Sequence, residues 1–360
     1  MRMRLSVDSV IYFYMFICIA LLVFNVAYIF RSRGHWKSQR KKIEKWENFL
    51  LTDRGTIRAA HARRSGLEKK LVKIDELMAF HSALEPHLEE VQRYLDRNYD
   101  MFLVLAVEYR KRPAMERAFF AHLIAVYHPD RGRRNDRLSE ILLQFLDNST
   151  VYCRENVLRA LYAMGNAGAV EHALMLMQAN GWYHNEKLLS DGLTSFAGDR
   201  EALVRRLWKA RSGWDEQLQT AVVQFATNVS DSMASDFLEA LNRRETPEET
   251  RFALVRYFQR HRYEEARPAL LEMAGRADEG GLAIAACAAL SKYPGDDTMS
   301  VLKQALHSRN WHVRRNAAAS LVLLGVSDED KEELYGSGDR YAGEMLAYMA
   351  RLRERREAKA

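Results

Sequence analysis

A leucine or phenylalanine returns along the second half of this chain every 31 to 33 residues, at Leu161, Leu193, Phe225, Phe258, Leu290 and Leu321. Apolar residues stand three and four places before most of these anchors. Val157 and Leu158, Ala221 and Val222, Leu254 and Val255, Ala286 and Cys287, and Ala317 and Ala318 are the pairs. That spacing places each pair on the anchor's face of a helix. A turn follows, as in Gly165-Asn166-Ala167-Gly168 or Pro294-Gly295-Asp296-Asp297, and then a second apolar stripe such as Phe237, Leu238, Ala240 and Leu241. One such helix pair cannot bury both its faces. A stack of them can, so a period of this size predicts an all-α solenoid with one continuous core.

Composition agrees with helices joined by short turns. The 360 residues hold only 6 prolines and 18 glycines, with 48% hydrophobic and 28% charged residues. The formal charge of +6 raises the question of nucleic acid, but the surplus is local. Arg31, Arg33, Lys37, Arg40, Lys41 and Lys42 fall in one stretch without an acid, which leaves the rest near neutral. A collar of that kind beside an apolar segment points to anionic lipid headgroups and argues against a nucleic-acid partner. Cys18, Cys153 and Cys287 are isolated and suit free thiols in a reducing compartment.

Residues 10–30 form that apolar segment, 21 residues without a charge and with Asn25 as the one strongly polar member. A helix of that length spans about 30 Å, the thickness of a bilayer's hydrocarbon core. The run is too long for a cleaved signal and lacks a small-residue cleavage site, so a retained transmembrane helix is expected. The basic collar outweighs Arg2 and Arg4, which predicts residues 1–9 as a short extracytoplasmic tail and a cytoplasmic C-terminal domain on a single-pass membrane protein. Residues 31–66 then read as a basic juxtamembrane segment and helical stalk, 67–113 as a divergent helical cap or first repeats, 114–325 as the repeats, and 326–360 as a C-terminal helical cap. Within 67–113, Leu67, Leu71, Ile74, Leu77 and Phe80 form one stripe and Leu88, Val91 and Leu95 another. A further unit is centred on Tyr127.

Residues 311–325, WHVRRNAAASLVLLG, and 151–165, VYCRENVLRALYAMG, carry an arginine seven places before the anchor and a glycine four places after it. With Val313, Arg314, Ala317 and Leu321, this pattern resembles HEAT repeats, especially the short kind in bilin-lyase-like bacterial proteins. Arg154 and Arg251 hold the arginine position in their units, and Asp147 matches the acidic residue before the first helix. Glu186, Leu218 and Ala283 replace the arginine in the other three. The resemblance implies a right-handed α-solenoid of HEAT-like helix pairs behind one N-terminal transmembrane helix. It also implies structural roles for Arg154, Arg251 and Arg314, as contacts to carbonyls and acids of a neighbouring unit, and an Asp–Arg ladder interrupted at the three substituted units.

No His-Glu-x-x-His, paired Cys/His spacing, phosphate-binding glycine loop or nucleophile elbow occurs in the sequence, so neither a metal, a cofactor nor a catalytic site is expected. Trp182, Trp214 and Trp311 stand 11, 11 and 10 residues before their anchors. Equal offsets would align them on one edge, either as a protein-binding row or as seals between repeats. The polar loop from His128 to Arg137 reads either as an anion contact or as a solvated connection. The layout is similar to that of one-span bacterial HEAT proteins of envelope-polysaccharide synthesis. That likeness implies a membrane-tethered scaffold or adaptor, not an enzyme, with a membrane glycosyltransferase as partner at the cytoplasmic face. The alternative class is a bilin-lyase-like enzyme or a chromophore- or ligand-binding protein.

Overall fold

The computed structural model describes residues 7–50, 67–87, 95, 98–127, 137–182, 185–276, 280–336 and 338–358, with the side chains of 7–11 and 30–35 outside that description. Residues 1–6 of the short N-terminal tail, the distal part of the stalk, Leu88, Val91 and the loop at 128–136 therefore lie outside the described residues. Every regular element among the described residues is helical. The chain divides into two compact units, 1–164 and 165–360.

In the first unit, α1 (Val7–Leu50) is a single helix of 44 residues. It is followed by α2 (Leu67–Leu71), α3 (Ile74–Leu84), α4 (Tyr99–Tyr109), α5 (Ala114–Tyr127), α6 (Arg137–Gln144) and α7 (Val151–Met164). The stripe expected from Leu67 to Phe80 is split after Leu71 rather than continuous. The carbonyls released at that break are taken up from α4 and the turn after it. The Tyr109 hydroxyl donates to the Leu71 carbonyl at 2.9 Å, and Arg112 donates to that of Val72 at 3.4 Å. A long-range partner thus makes the interruption cheap, because buried helix ends need their orphan carbonyls satisfied.

The stalk does not stand free. Past the apolar segment, α1 lays Trp46 and Leu50 against α3, burying both. The Trp46 indole N–H donates to Glu76 at 3.0 Å, its ring meets Phe80 edge-on at 5.2 Å, and Lys42 pairs with Asp75 at 3.2 Å.

In the second unit the expected pairs are present. They comprise α8 (Ala167–Ala179), α9 (Glu186–Thr194), α10 (Arg200–Lys209), α11 (Glu216–Val229), α12 (Ala234–Asn242), α13 (Glu248–Arg260), α14 (Arg267–Gly275), α15 (Gly281–Ala289), α16 (Asp296–Ala305), α17 (Trp311–Leu324), α18 (Asp328–Gly336) and α19 (Arg340–Glu357). Helices α9, α11, α13, α15, α17 and α19 each pack on the next, and the intervening helices form a second layer against them. All six anchors are fully buried, Leu161 in the first unit and the other five in the second, at 0% exposure. Between the layers, Phe237 lies edge-on to both Trp208 and Tyr257 at 4.7 Å. Such contacts carry the hydrophobic burial that a lone pair could not achieve.

Local chemistry sets the helix limits. Asn166, Asn185, Asp199, Asp215, Asn310 and Asp339 accept from first-turn amides as N-caps. Gly325 ends α17 with φ +86°, a left-handed conformation that a side chain would resist, and its N–H reaches back to Leu321 at 3.1 Å. Leu290 is an exception to the expected helical anchor. It begins a 3₁₀ turn, Leu290–Lys292, because Pro294 drives the preceding Tyr293 out of the α region.

The interrupted arginine ladder has a physical replacement. Thr220 and Thr250 share a hydroxyl hydrogen bond at 3.1 Å, Asn316 donates to the Ile284 carbonyl at 2.9 Å, and Ser320 donates to that of Cys287 at 2.7 Å. Each joins one first-layer helix to the next. Leu218 and Ala283, which stand at the arginine position, are buried apolar contacts instead.

Candidate interaction surfaces

Tyr12–Ile29 within α1 is long and apolar enough to cross a membrane, and none of it is covered by the rest of the chain. Of the basic collar, Lys37, Arg40 and Lys41 are exposed, and Lys42 is engaged by Asp75. The Arg31 and Arg33 side chains lie outside the described residues. Trp46 stands seventeen residues after Ile29. At the helical rise this is about 25 Å of continuous helix between the apolar segment and its docking point on α3.

The arginine position is structural where it is occupied. Arg154 donates to the Ser149 carbonyl at 3.0 Å, in the loop before its own helix rather than in a neighbouring unit. Arg314 bonds the Ser308 carbonyl of its own loop and pairs with Asp339 of the next first-layer helix at 3.0 Å. Asp339 also faces His307 at 3.1 Å and caps α19. The Arg314 guanidinium chiefly, with His307, draws the Asp339 carboxyl down to about 2. Arg251 is half-buried, and its Nε has no hydrogen-bond partner among the described residues. Asp147 enters through its backbone, since its carbonyl and that of Asn148 accept from Arg117 at 2.7 and 3.0 Å. Arg117 on α5 therefore plays the part read for Arg154. Its partner at +7 is Ile124, fully buried and three residues before the Tyr127 on which the sequence centred that unit.

The three tryptophans do not make one exposed edge. Trp214 is buried. Trp182 is half-buried against Leu174, Met177 and Leu218, in a cleft of about 110 Å³. Trp311 is 54% exposed. The offsets from the anchors are equal but the helix starts are not. Helix α9 begins four residues after Trp182, α11 begins two after Trp214, and α17 begins at Trp311 itself. The first two rings therefore sit in loops and turn inward to seal the stack, whereas the third rides on a helix face.

Trp311 forms one wall of a larger cleft of about 510 Å³, and Tyr341, Met345 and Tyr348 of α19 form the other. Their spacing of four and three residues puts these α19 side chains on one face. Ala342, Leu346 and Met349, each one residue further on and so on the adjacent face about 100° round the helix, are buried. Reading 326–360 as a C-terminal helical cap overlooked the second stripe, although its spacing was visible in the sequence. Elsewhere, His81 Nδ1 lies 2.7 Å from the Tyr127 hydroxyl, with the His122 ring at 5.8 Å. Burial is the main cause lowering both histidines below the usual imidazole range, and the neighbouring ring adds to it at His81. Burial pushes the Cys287 thiol up to about 12 and also raises that of Cys153, so both are packing groups at neutral pH.

Residues 234–322, from α12 through most of α17, match the HEAT repeats family. HEAT repeats are an architecture that generally mediates protein–protein interaction. No curated protein matches the chain.

Proposed function

We propose that this protein is a membrane-tethered, cytoplasmic protein-interaction scaffold. The observation that carries the reading is the unbroken α1, which joins a membrane-length apolar run to a helix docked on the first unit. A tether of this kind confines a binding surface to the membrane plane and raises its effective concentration for membrane partners. Exposed Lys37, Arg40 and Lys41 follow the apolar run within about three and a half helical turns, where anionic headgroups would meet them. The partner to test first is a membrane glycosyltransferase of envelope-polysaccharide synthesis, by likeness of layout.

Two measurements test the reading. Maleimide labelling of a cysteine placed at Tyr348 should require permeabilised cells, and labelling from outside intact cells would overturn the orientation. Replacing residues 10–30 by an unrelated span of the same orientation should preserve capture of the partner, whereas removing the span should weaken it. If Asn25→Leu alone abolishes capture, the span is a recognition element and more than a tether.

A further inference from the structure

We infer that the cleft between α17 and α19 is a docking site for an acidic peptide segment that carries apolar side chains. The inference rests on the scaffold reading and specifies the chemistry of what is bound. The cleft falls within the roughly 300–1,000 Å³ of pockets that take a small ligand or a few side chains. Trp311, Tyr341 and Tyr348 are 54%, 71% and 52% exposed, although the same two helices bury their other faces well. Three large aromatic side chains turned to one concavity make a surface of the composition enriched in interface hot spots.

Charge selects the occupant. The carboxylates at the cleft are already engaged, Glu344 by Arg340 at 2.6 Å and Asp339 by Arg314 at 3.0 Å. Arg315 holds its guanidinium 5.9 Å from the centre of the Trp311 ring and has no carboxylate partner among the described residues. Arg309 adds a further cation to the lining. Helix α17 is capped by neutral Asn310 and has no acid in its first turn, so its N-terminal dipole adds to the positive potential, whereas that of α19 is met by Asp339. By contrast, α9, α11 and α13 of the same unit begin with Glu186, Glu216, and Glu248 with Glu249. A basic segment would be drawn to those starts and an acidic one to the cleft. A peptide fits better than an acidic saccharide. Sugar rings stack on open aromatic faces, and Trp311 already carries Arg315 over its ring and His312 edge-on at 5.1 Å.

The experiment uses the full chain in detergent micelles and three fluorescein-labelled octapeptides. One alternates Glu with Leu and Phe, and the others replace each Glu by Gln or by Lys. Fluorescence anisotropy should show the Glu peptide binding at least about tenfold more tightly than either of the others, with affinity falling as salt is raised. Arg315→Gln should weaken it about fivefold, and Tyr341→Ala with Tyr348→Ala should weaken it further, as expected for loss of interface anchors. All three positions are exposed, so the melting temperature should not move. Lys209→Gln, an exposed cation remote in sequence, should have no effect. Equal binding of the Gln peptide overturns the inference, as does indifference to both cleft variants. Displacement of the peptide by oligogalacturonate at lower concentration than by unlabelled peptide would assign the cleft to a saccharide and also overturn it. Capture of the membrane partner by the wild-type chain is scored in parallel. Peptide failure with capture intact sinks the cleft assignment alone, and capture failure with peptide binding intact sinks the tethered-scaffold reading.

Discussion

Asp339 should be worth more to the C-terminal helix than any other single surface acid, because it does two jobs. Its carboxylate accepts from the Tyr341 and Ala342 amides at 3.1 and 3.3 Å, capping α19, and it pairs with Arg314 at 3.0 Å. The cap contributes about 1 kcal/mol. The pair is intermediate in burial, with Arg314 16% and Asp339 22% exposed, so it should exceed a fully exposed bridge and fall short of a buried one. About 1–2 kcal/mol is the corresponding range for a charged hydrogen bond partly screened by water. Asp339→Ala should therefore cost about 2–3 kcal/mol and Asp339→Asn, which keeps a capping oxygen, about 1–2 kcal/mol. A double-mutant cycle with Arg314→Met should recover a coupling of about 1 kcal/mol or more. Because α19 packs on one first-layer neighbour, α17, the loss should appear as local opening and not as global unfolding. In Asp339→Ala, hydrogen exchange of the α19 amides should accelerate about 30- to 140-fold, at tenfold per about 1.4 kcal/mol, while α11 and α13 keep their protection. The pH dependence has a definite sign. A carboxyl held near 2 in the fold but at its ordinary value when unfolded adds stability above pH 4 that is lost as the pH falls toward 2. Equal exchange in Asp339→Ala and the wild type, or zero coupling in the cycle, would refute the reasoning.

Leu161→Asp and Leu321→Asp each place a carboxylate at a site of 0% exposure and should cost several kcal/mol, read as a fall in melting temperature. If neither moves it, the anchors are misassigned. Trp46→Ala should remove the Phe80 contact and the Glu76 hydrogen bond, costing about 3–5 kcal/mol. Protease cleavage after Lys45 should then become faster, and unchanged cleavage would show that α1 does not dock on α3. His81 and His122 are held neutral below the usual range by burial, with Glu85 and Arg159 as the charges facing them. The unfolded chain then takes up protons first, so stability of the first unit should be full at neutral pH and fall as the pH drops below about 6.5. His81→Asn combined with His122→Asn should flatten that slope, and an unchanged slope would dismiss the pair as its source.

The 32-residue period, the buried anchors and the glycine that ends α17 were all legible in the sequence. Each depends on local spacing. A residue on the apolar face of a helix that can be buried only by stacking is committed to the core wherever the stack runs, as Leu193, Phe225 and Phe258 illustrate. What the tertiary structure alone decided were matters of partner and of helix start. Trp182, Trp214 and Trp311 share an offset but not an environment, because Asn185, Asp215 and Asn310 begin their helices at different distances from the anchors. Residues 326–360 read only as a helical cap, and packing on α17 showed which of the two apolar faces of α19 stays open. The end of α1 read only as part of a helical stalk because its partners, Asp75, Glu76 and Phe80, lie about thirty residues away. Periodicity is written into consecutive residues and survives without a fold. Contacts between distant segments exist only after the loops between them have closed, and no local pattern records where they will meet.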